Sequence, residues 1–189
     1  SGAPIISEID FAASHCKLPM LGITGTNGKT TTTELCAAIL RALGVRAAPA
    51  GNIGETLSDA ILAQDALDCL VLELSSFQLE RCPSLKLEAA AILNISSDHM
   101  DRYRTLDEYA DAKFKIFDAV RPGGAMFIRS DLTDRFAAKA KPGWKAMTFS
   151  ATDRSADFHL LPKGLICGKP APDAPTTVLA DQKQGSMPG

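Results

Sequence analysis

Leu21-Gly22-Ile23-Thr24-Gly25-Thr26-Asn27-Gly28-Lys29-Thr30-Thr31 is the stretch on which the reading of this chain turns. An apolar run from Pro19 to Ile23 reads as a short buried strand. It passes into a glycine-punctuated turn and then into a segment with helical apolar spacing, Leu35, Ile39 and Leu43, closed by Gly44. Strand, glycine loop, Lys-Thr and helix together make a cradle for a polyphosphate. Small residues let backbone N–H groups approach an anion, and the helix start adds its own unpaired donors. Lys29 supplies a point charge, and the hydroxyl of Thr30 or Thr31 suits an accompanying Mg²⁺. The bland alternative is a plain strand-to-helix turn in which Lys29 is solvated.

The spacing departs from the standard P-loop pattern, which wants glycine about five residues before the Gly-Lys glycine. Ile23 stands there, and Gly22 lies one position too far. The Gly-Lys-Thr ending and the strand-to-helix context nevertheless agree with the motif. Gly25, Thr26, Asn27, Gly28, Lys29, Thr30 and Thr31 are therefore read as nucleotide-phosphate residues.

Length and composition set the outer bounds. A chain of 189 residues buries one good core with room for a small satellite. Apolar content of 46% and charged content of 22% are ordinary for a soluble globular protein. A net charge of −2 gives no argument for a nucleic-acid or acidic-membrane partner. No apolar run is long enough to span a bilayer and no secretory leader is read at the start. The five cysteines form no C-x-x-C pair and read as buried thiols of a reducing cytoplasm.

Ser1 to Leu18 shows no clean periodicity for a complete element and reads as a linker or the tail of an upstream domain. Val45 to Ala50 is a second short strand, followed by the tight turn Gly51-Asn52-Ile53-Gly54 and a helix over Glu55–Gln64. Cys69 to Leu72 does not alternate, as expected of a parallel strand covered on both faces. Glu73 interrupts that run near its carboxyl end, where open α/β sheets bind ligands and where many P-loop enzymes hold Mg²⁺. A buried carboxylate is costly unless paired or bound to metal; the alternative is a Glu73 facing water at the sheet rim. Ser75 and Ser76 then bring hydroxyls suited to ligand or metal contact.

Ala89 to Ile95 is a further strand running into Ser96-Ser97-Asp98-His99-Met100-Asp101-Arg102-Tyr103, the most polar cluster in the chain. Of the three histidines, His99 alone sits among acids after a buried strand and is favoured for a site role. The next helix begins at Thr105 with Glu108 as a capping box. Its apolar stripe contains Lys113, while Lys115 points the opposite way. Lys113 is aimed into the protein unless it snorkels to solvent. Arg121-Pro122-Gly123-Gly124 ends that helix. Strand, helix and strand follow at Ala125–Ile128, Leu132–Ala140 and Trp144–Phe149, then a hairpin around Pro162-Lys163-Gly164. The expected fold is α/β, a P-loop-type, mostly parallel sheet with helices on both faces and a small antiparallel appendage.

The octet Thr24-Gly25-Thr26-Asn27-Gly28-Lys29-Thr30-Thr31 resembles the ATP loop of the Mur ligase superfamily, whose members join an amine to a carboxylate through an acyl phosphate. Gly51-Asn52-Ile53-Gly54, Leu72 to Glu80 and Asn94 to Tyr103 are similar to the branch that adds D-glutamate to UDP-N-acetylmuramoyl-L-alanine. The diaminopimelate- and lysine-adding relatives usually carry histidine where Phe77 stands. The resemblance covers roughly Pro19 to Phe149 in order.

The resemblance implies the following roles. Lys29, Thr30 and Thr31 hold ATP and a first Mg²⁺, with Glu73 as a ligand of that ion. His99 and Lys113 serve a second Mg²⁺, Lys113 as its CO₂ adduct, a carbamate. Asn52 and Ser75 contact the muramoyl-alanine substrate. Catalysis is assigned to Lys29, His99 and Lys113. It further implies a cytoplasmic enzyme, monomeric, with no nucleic-acid or membrane partner. On this reading residues 1–18 are linker, 19–168 most of a central ATP-binding domain, and 169–189 a partly disordered or non-native tail. Flanking domains that hold the two substrates are expected elsewhere in a longer enzyme, and this piece alone is expected to be inactive. Two alternatives stay open: a non-catalytic Mg·ATP-binding module, and another acyl-phosphate ligase of the same superfamily.

Overall fold

The computed structural model describes residues 6–97, 102–161, 165–168 and 177–181, divided into two compact units, Ser1–Met126 and Phe127–Gly189. The first unit is built on parallel strands β1 (Met20–Thr24), β2 (Ala47–Gly51), β3 (Cys69–Glu73) and β4 (Leu87–Ile92), in the spatial order β2-β3-β1-β4. β1 lies at the centre, with Gly22 opposite Leu72 on one side and Ala90 on the other. Every residue of β3 is buried, in keeping with the apolar run Cys69–Leu72 that leads to Glu73.

Helical elements cover both faces of this sheet. On one face α2 (Lys29–Ala42) packs Ala37, Cys36 and Leu40 against Leu21, Ile23, Val71 and Leu93. On the other face Gly22 leaves room for the Ile116 side chain, whose Cδ1 would lie 3.2 Å from a Cβ at that position. Ile116 belongs to a 3-10 turn, Lys115–Ala119, that continues α5 (Leu106–Phe114). The buried face of α2 differs from the expected one. Leu35, Ile39 and Leu43 are exposed, whereas Thr33 and Ala37 are buried, with Cys36 and Leu40 half-buried. Positions 33, 36, 37 and 40 form the inward stripe: Thr33, Cys36 and Ala37 are small, and Leu40 is the one large side chain among them.

Residues 8–15, expected to carry no complete element, form α1 (Glu8–His15). It buries Ile9, Ala12 and Ala13 and is tied down by polar bonds as well. Ser7 caps it, buried Asp10 accepts a bond from the Ser84 N–H at 2.5 Å, and Glu8 accepts from both Ser58 N and Ser58 Oγ. Ser58 lies in the first turn of α3 (Leu57–Leu62), so Glu8 satisfies donors at the start of a neighbouring helix. The segment after Val120, expected as a turn, is already strand: β5 spans Val120–Arg129, with Pro122 exposed.

In the second unit, α6 (Thr133–Lys139) precedes β6 (Ala146–Ser150), which pairs in parallel with β7 (Phe158–Leu161). β8 (Leu165–Gly168) pairs antiparallel with β7 on one side and with β9 (Thr177–Asp181) on the other, the expected appendage. Among the described residues no helix is long and apolar enough to cross a membrane.

Candidate nucleotide-phosphate site

The strands β1, β2 and β3 end side by side, and the candidate residues lie at those carboxyl ends. The loop after β1 turns into α2 through Gly28, whose φ of 82° is left-handed and favours a residue without a Cβ. Gly28 is also the helix N-cap and makes no side-chain cap, so the first N–H groups of α2 are not capped by their own chain there. Asn27, Gly28, Thr30 and Thr31 are exposed, whereas Gly25 and Thr26 are buried beneath them. A cradle of helix-start donors, open to solvent, is what an anion requires.

The loop is held from below. The Thr24 hydroxyl donates to Leu74 O at 2.7 Å, and Lys29 Nζ turns back to Thr26 O at 2.9 Å. Lys113 is 1% exposed, its Nζ donating to Gly25 O at 2.9 Å and lying 4.5 Å from the centre of the Tyr109 ring. Lys115, by contrast, is exposed.

Glu73 closes the arrangement. It is 2% exposed, and its carboxylate is divided between two neutral donors. Oε2 accepts from Thr30 Oγ1 at 2.8 Å, and Oε1 accepts from Asn52 Nδ2 at 3.1 Å. Asn52 is delivered by the end of β2. Gly51 has a φ of 107°, and a Cβ there would lie 2.4 Å from Glu73 O, so only glycine brings the chain this close to β3. The Asn52 N–H then donates to the same Glu73 O.

Ser75 is the N-cap of α4 (Ser76–Leu79). Its hydroxyl accepts from Gln78 N, and its own N–H and hydroxyl donate to Gln78 Oε1, a complete capping box. Phe77 is 37% exposed, with the Arg102 guanidinium 4.5 Å from its ring centre. Arg102 and Tyr103 both bond Glu80. Burial pushes the Glu80 carboxyl up, but the Arg102 and Tyr103 bonds outweigh it and hold the group below its ordinary value. His99, with Asp98 and Asp101, lies outside the described residues; among the described ones no cluster of three or more His, Cys, Asp or Glu forms a metal site.

The structure thus brings together the loop Gly25–Thr31, Glu73, Asn52 and Lys113. Sequence reasoning overlooked Asn94, whose side chain bonds the Asn27 peptide, because nothing local to either residue signals the contact. Such a site on such a sheet defines the class as a P-loop-type α/β domain. Residues 23–163 match the model of the Mur ligase middle domain, and the chain belongs to that family.

Relatives narrow the comparison. The chain is 45% identical over 144 residues to the UDP-N-acetylmuramoylalanine–D-glutamate ligase of Oleidesulfovibrio alaskensis, covering 72% of this chain and 32% of that one. It is 49% identical over 160 residues to the enzyme of the same name from Vibrio cholerae, covering 85% and 35%. The chain therefore spans about a third of the length of these relatives. Among solved structures, a UDP-N-acetylmuramoyl-L-alanyl-D-glutamate–2,6-diaminopimelate ligase aligns at a TM-score of 0.58 and 26% identity, over 79% of this chain and 36% of that one. The MurF ligase of Thermotoga maritima in complex with ADP aligns at 0.61 and 19% identity, over 94% and 45%, a likeness of fold.

Proposed function

We propose that this chain is the central ATP-binding domain of a ligase that joins D-glutamate to UDP-N-acetylmuramoyl-L-alanine through an acyl phosphate, a step in making peptidoglycan precursors for the cell wall. The observation that carries the reading is the Thr30–Glu73–Asn52 arrangement beside an open helix start. It joins a phosphate cradle to a residue on the far side of the sheet end through one buried carboxylate. The names of the relatives, at 45% and 49% identity, support the choice of substrates.

In this reading the N–H groups at the start of α2 and Lys29 bind the ATP phosphates, Lys29 leaving Thr26 O to do so. Thr30 and Glu73 suit a Mg²⁺ ion: a hydroxyl and a carboxylate are hard oxygen donors, and a carboxylate held by neutral donors in a buried place accepts a cation readily. His99 and Lys113 would hold a second Mg²⁺, Lys113 as a carbamate. A carbamate nitrogen keeps one hydrogen, so the bond to Gly25 O is compatible with the adduct. Bound there, the ions supply neutralisation of the phosphoryl group in transfer. Asn52 and Ser75 face the acceptor, whose carboxylate takes the phosphoryl group before the D-glutamate amine displaces phosphate.

The enzyme is proposed to act in the cytoplasm as a monomer, with no nucleic-acid or membrane partner. The isolated chain is expected to make no product, because nothing in it is assigned to hold the amino acid against the acyl phosphate. The test is phosphate release by the full-length protein with UDP-N-acetylmuramoyl-L-alanine and a panel of amino acids. Turnover with D-glutamate alone is expected. Preference for another amino acid assigns a different ligase of the superfamily, and ATP binding without ADP formation assigns a non-catalytic module.

A further inference from the structure

We propose that Asn94 is a positioning residue for the phosphate loop, its carboxamide holding the Asn27 peptide so that an incoming anion meets the N–H groups of the α2 start and no loop carbonyl. The inference rests on the reading of Gly25–Thr31 as a nucleotide-phosphate site.

β4 ends at Ile92, and the chain beyond it runs on beside the loop. Leu93 N donates to Thr24 O at 2.9 Å and Thr26 N to Asn94 O at 3.0 Å. Ser96 N then donates to Thr26 Oγ1 at 3.0 Å. Within this run the Asn94 side chain pairs with the Asn27 peptide on both of its polar groups. Asn94 Oδ1 accepts from Asn27 N at 2.9 Å, and Asn94 Nδ2 donates to Asn27 O at 2.9 Å. A side-chain amide here stands in for a neighbouring strand.

Two consequences follow for the loop. The N–H groups of Thr26 and Asn27 are used inside the protein, so the donors offered to an anion are those of the helix start. In the free chain the carbonyls of Gly25, Thr26 and Asn27 are each held by a side-chain donor, Lys113, Lys29 and Asn94 respectively. Lys29 leaves Thr26 O when it turns to the phosphates, whereas the Asn94 bond to Asn27 O has no such competing task. A carbonyl turned toward a phosphate repels it, and Asn27 is exposed, so without Asn94 its peptide is free to turn. The position needs a donor and an acceptor on one short planar group, which asparagine has and aspartate or leucine does not.

The experiment uses the 189-residue chain, following amide resonances and their hydrogen exchange, with Mg·ATP as the probe. Asn94→Leu is expected to speed exchange at Asn27 while leaving Thr26, bonded to the main chain of residue 94, protected. It is also expected to weaken Mg·ATP binding by about tenfold, the worth of one such bond. Asn94→Asp keeps the acceptor for Asn27 N and loses the donor to Asn27 O. It is therefore expected to keep Asn27 protected and still lose affinity, with both variants melting cooperatively. Unchanged exchange at Asn27 in the leucine variant overturns the clamp. Wild-type affinity in both variants overturns the positioning role and leaves a brace between strands. A wild-type chain whose loop resonances do not respond to Mg·ATP overturns the nucleotide reading itself.

Discussion

Replacing Glu73 by glutamine separates its structural bonds from its charge. The side chain is 2% exposed and accepts from Thr30 Oγ1 at 2.8 Å and Asn52 Nδ2 at 3.1 Å. In Glu73→Gln the amide oxygen still accepts from Asn52, and the new NH₂ donates to the Thr30 hydroxyl, which rotates to accept. Each bond falls from the charged to the neutral class, a loss of about 1 kcal/mol apiece. Removing a buried charge offsets a similar amount. Net stability should therefore move by no more than about 1 kcal/mol, a shift of a few degrees in Tm. The effect on metal is larger. A unit charge pair at about 4 Å and an effective dielectric of about 20 is worth about 4 kcal/mol, and a partly hydrated ion keeps a fraction of that. The enhancement of ATP binding by Mg²⁺ should fall at least tenfold, about 1.4 kcal/mol. ATP titrations with and without MgCl₂, alongside thermal melts, measure both. A folded Glu73→Gln chain whose ATP affinity still rises with Mg²⁺ as in the wild type refutes the metal assignment.

Lys29→Ala should leave the fold intact and weaken ATP binding by about 1.5–3 kcal/mol, the worth of a charge-assisted phosphate contact, measured by calorimetry. In the full-length enzyme Lys113→Ala should remove most activity and be partly restored by small carboxylic acids, while Lys115→Ala is nearly silent; failure of rescue by every acid tried, with the fold retained, would count against the carbamate. Glu80 is held below its ordinary value by Arg102 and Tyr103, so its contribution to stability is present above the normal carboxylate range and lost as pH falls through the lowered value. Melting from pH 6 downward should show that acid-side loss, and Arg102→Met should shallow it.

How much of this was legible in the residues depends on the distance over which each feature is specified. β1, the glycine turn and the start of α2 are consecutive, so their identity follows from Leu21 to Thr31 alone. The buried run of β3 and its terminal acid are equally local. The inward face of α2 was not legible from Leu35, Ile39 and Leu43, because the stripe that packs on the sheet is Thr33, Cys36, Ala37 and Leu40, of which only Leu40 is a large apolar residue. α1 was less legible because its buried apolar face is short, Ile9, Ala12 and Ala13, and the rest of its attachment runs through Glu8 and Asp10 to Ser58 and Ser84, side chains whose letters signal exposure. Asn94 could be quoted from a family pattern, but its partner lies 67 positions earlier, and only the fold joins them.

The division of Glu73 between two segments makes it a point of thermodynamic linkage. One oxygen belongs to the helix that begins the phosphate cradle, the other to the turn after β2. Any ligand that draws the carboxylate toward Thr30 changes what Asn52 is offered, and a ligand that engages Asn52 changes what Thr30 is offered. If nucleotide binds at Thr30 and the acceptor at Asn52, as proposed, linkage requires the two effects to be equal: nucleotide then alters acceptor affinity by the same factor by which acceptor alters nucleotide affinity. Gly51 tightens the coupling. Its backbone lies so close to the end of β3 that the turn has little slack with which to absorb a shift of Glu73.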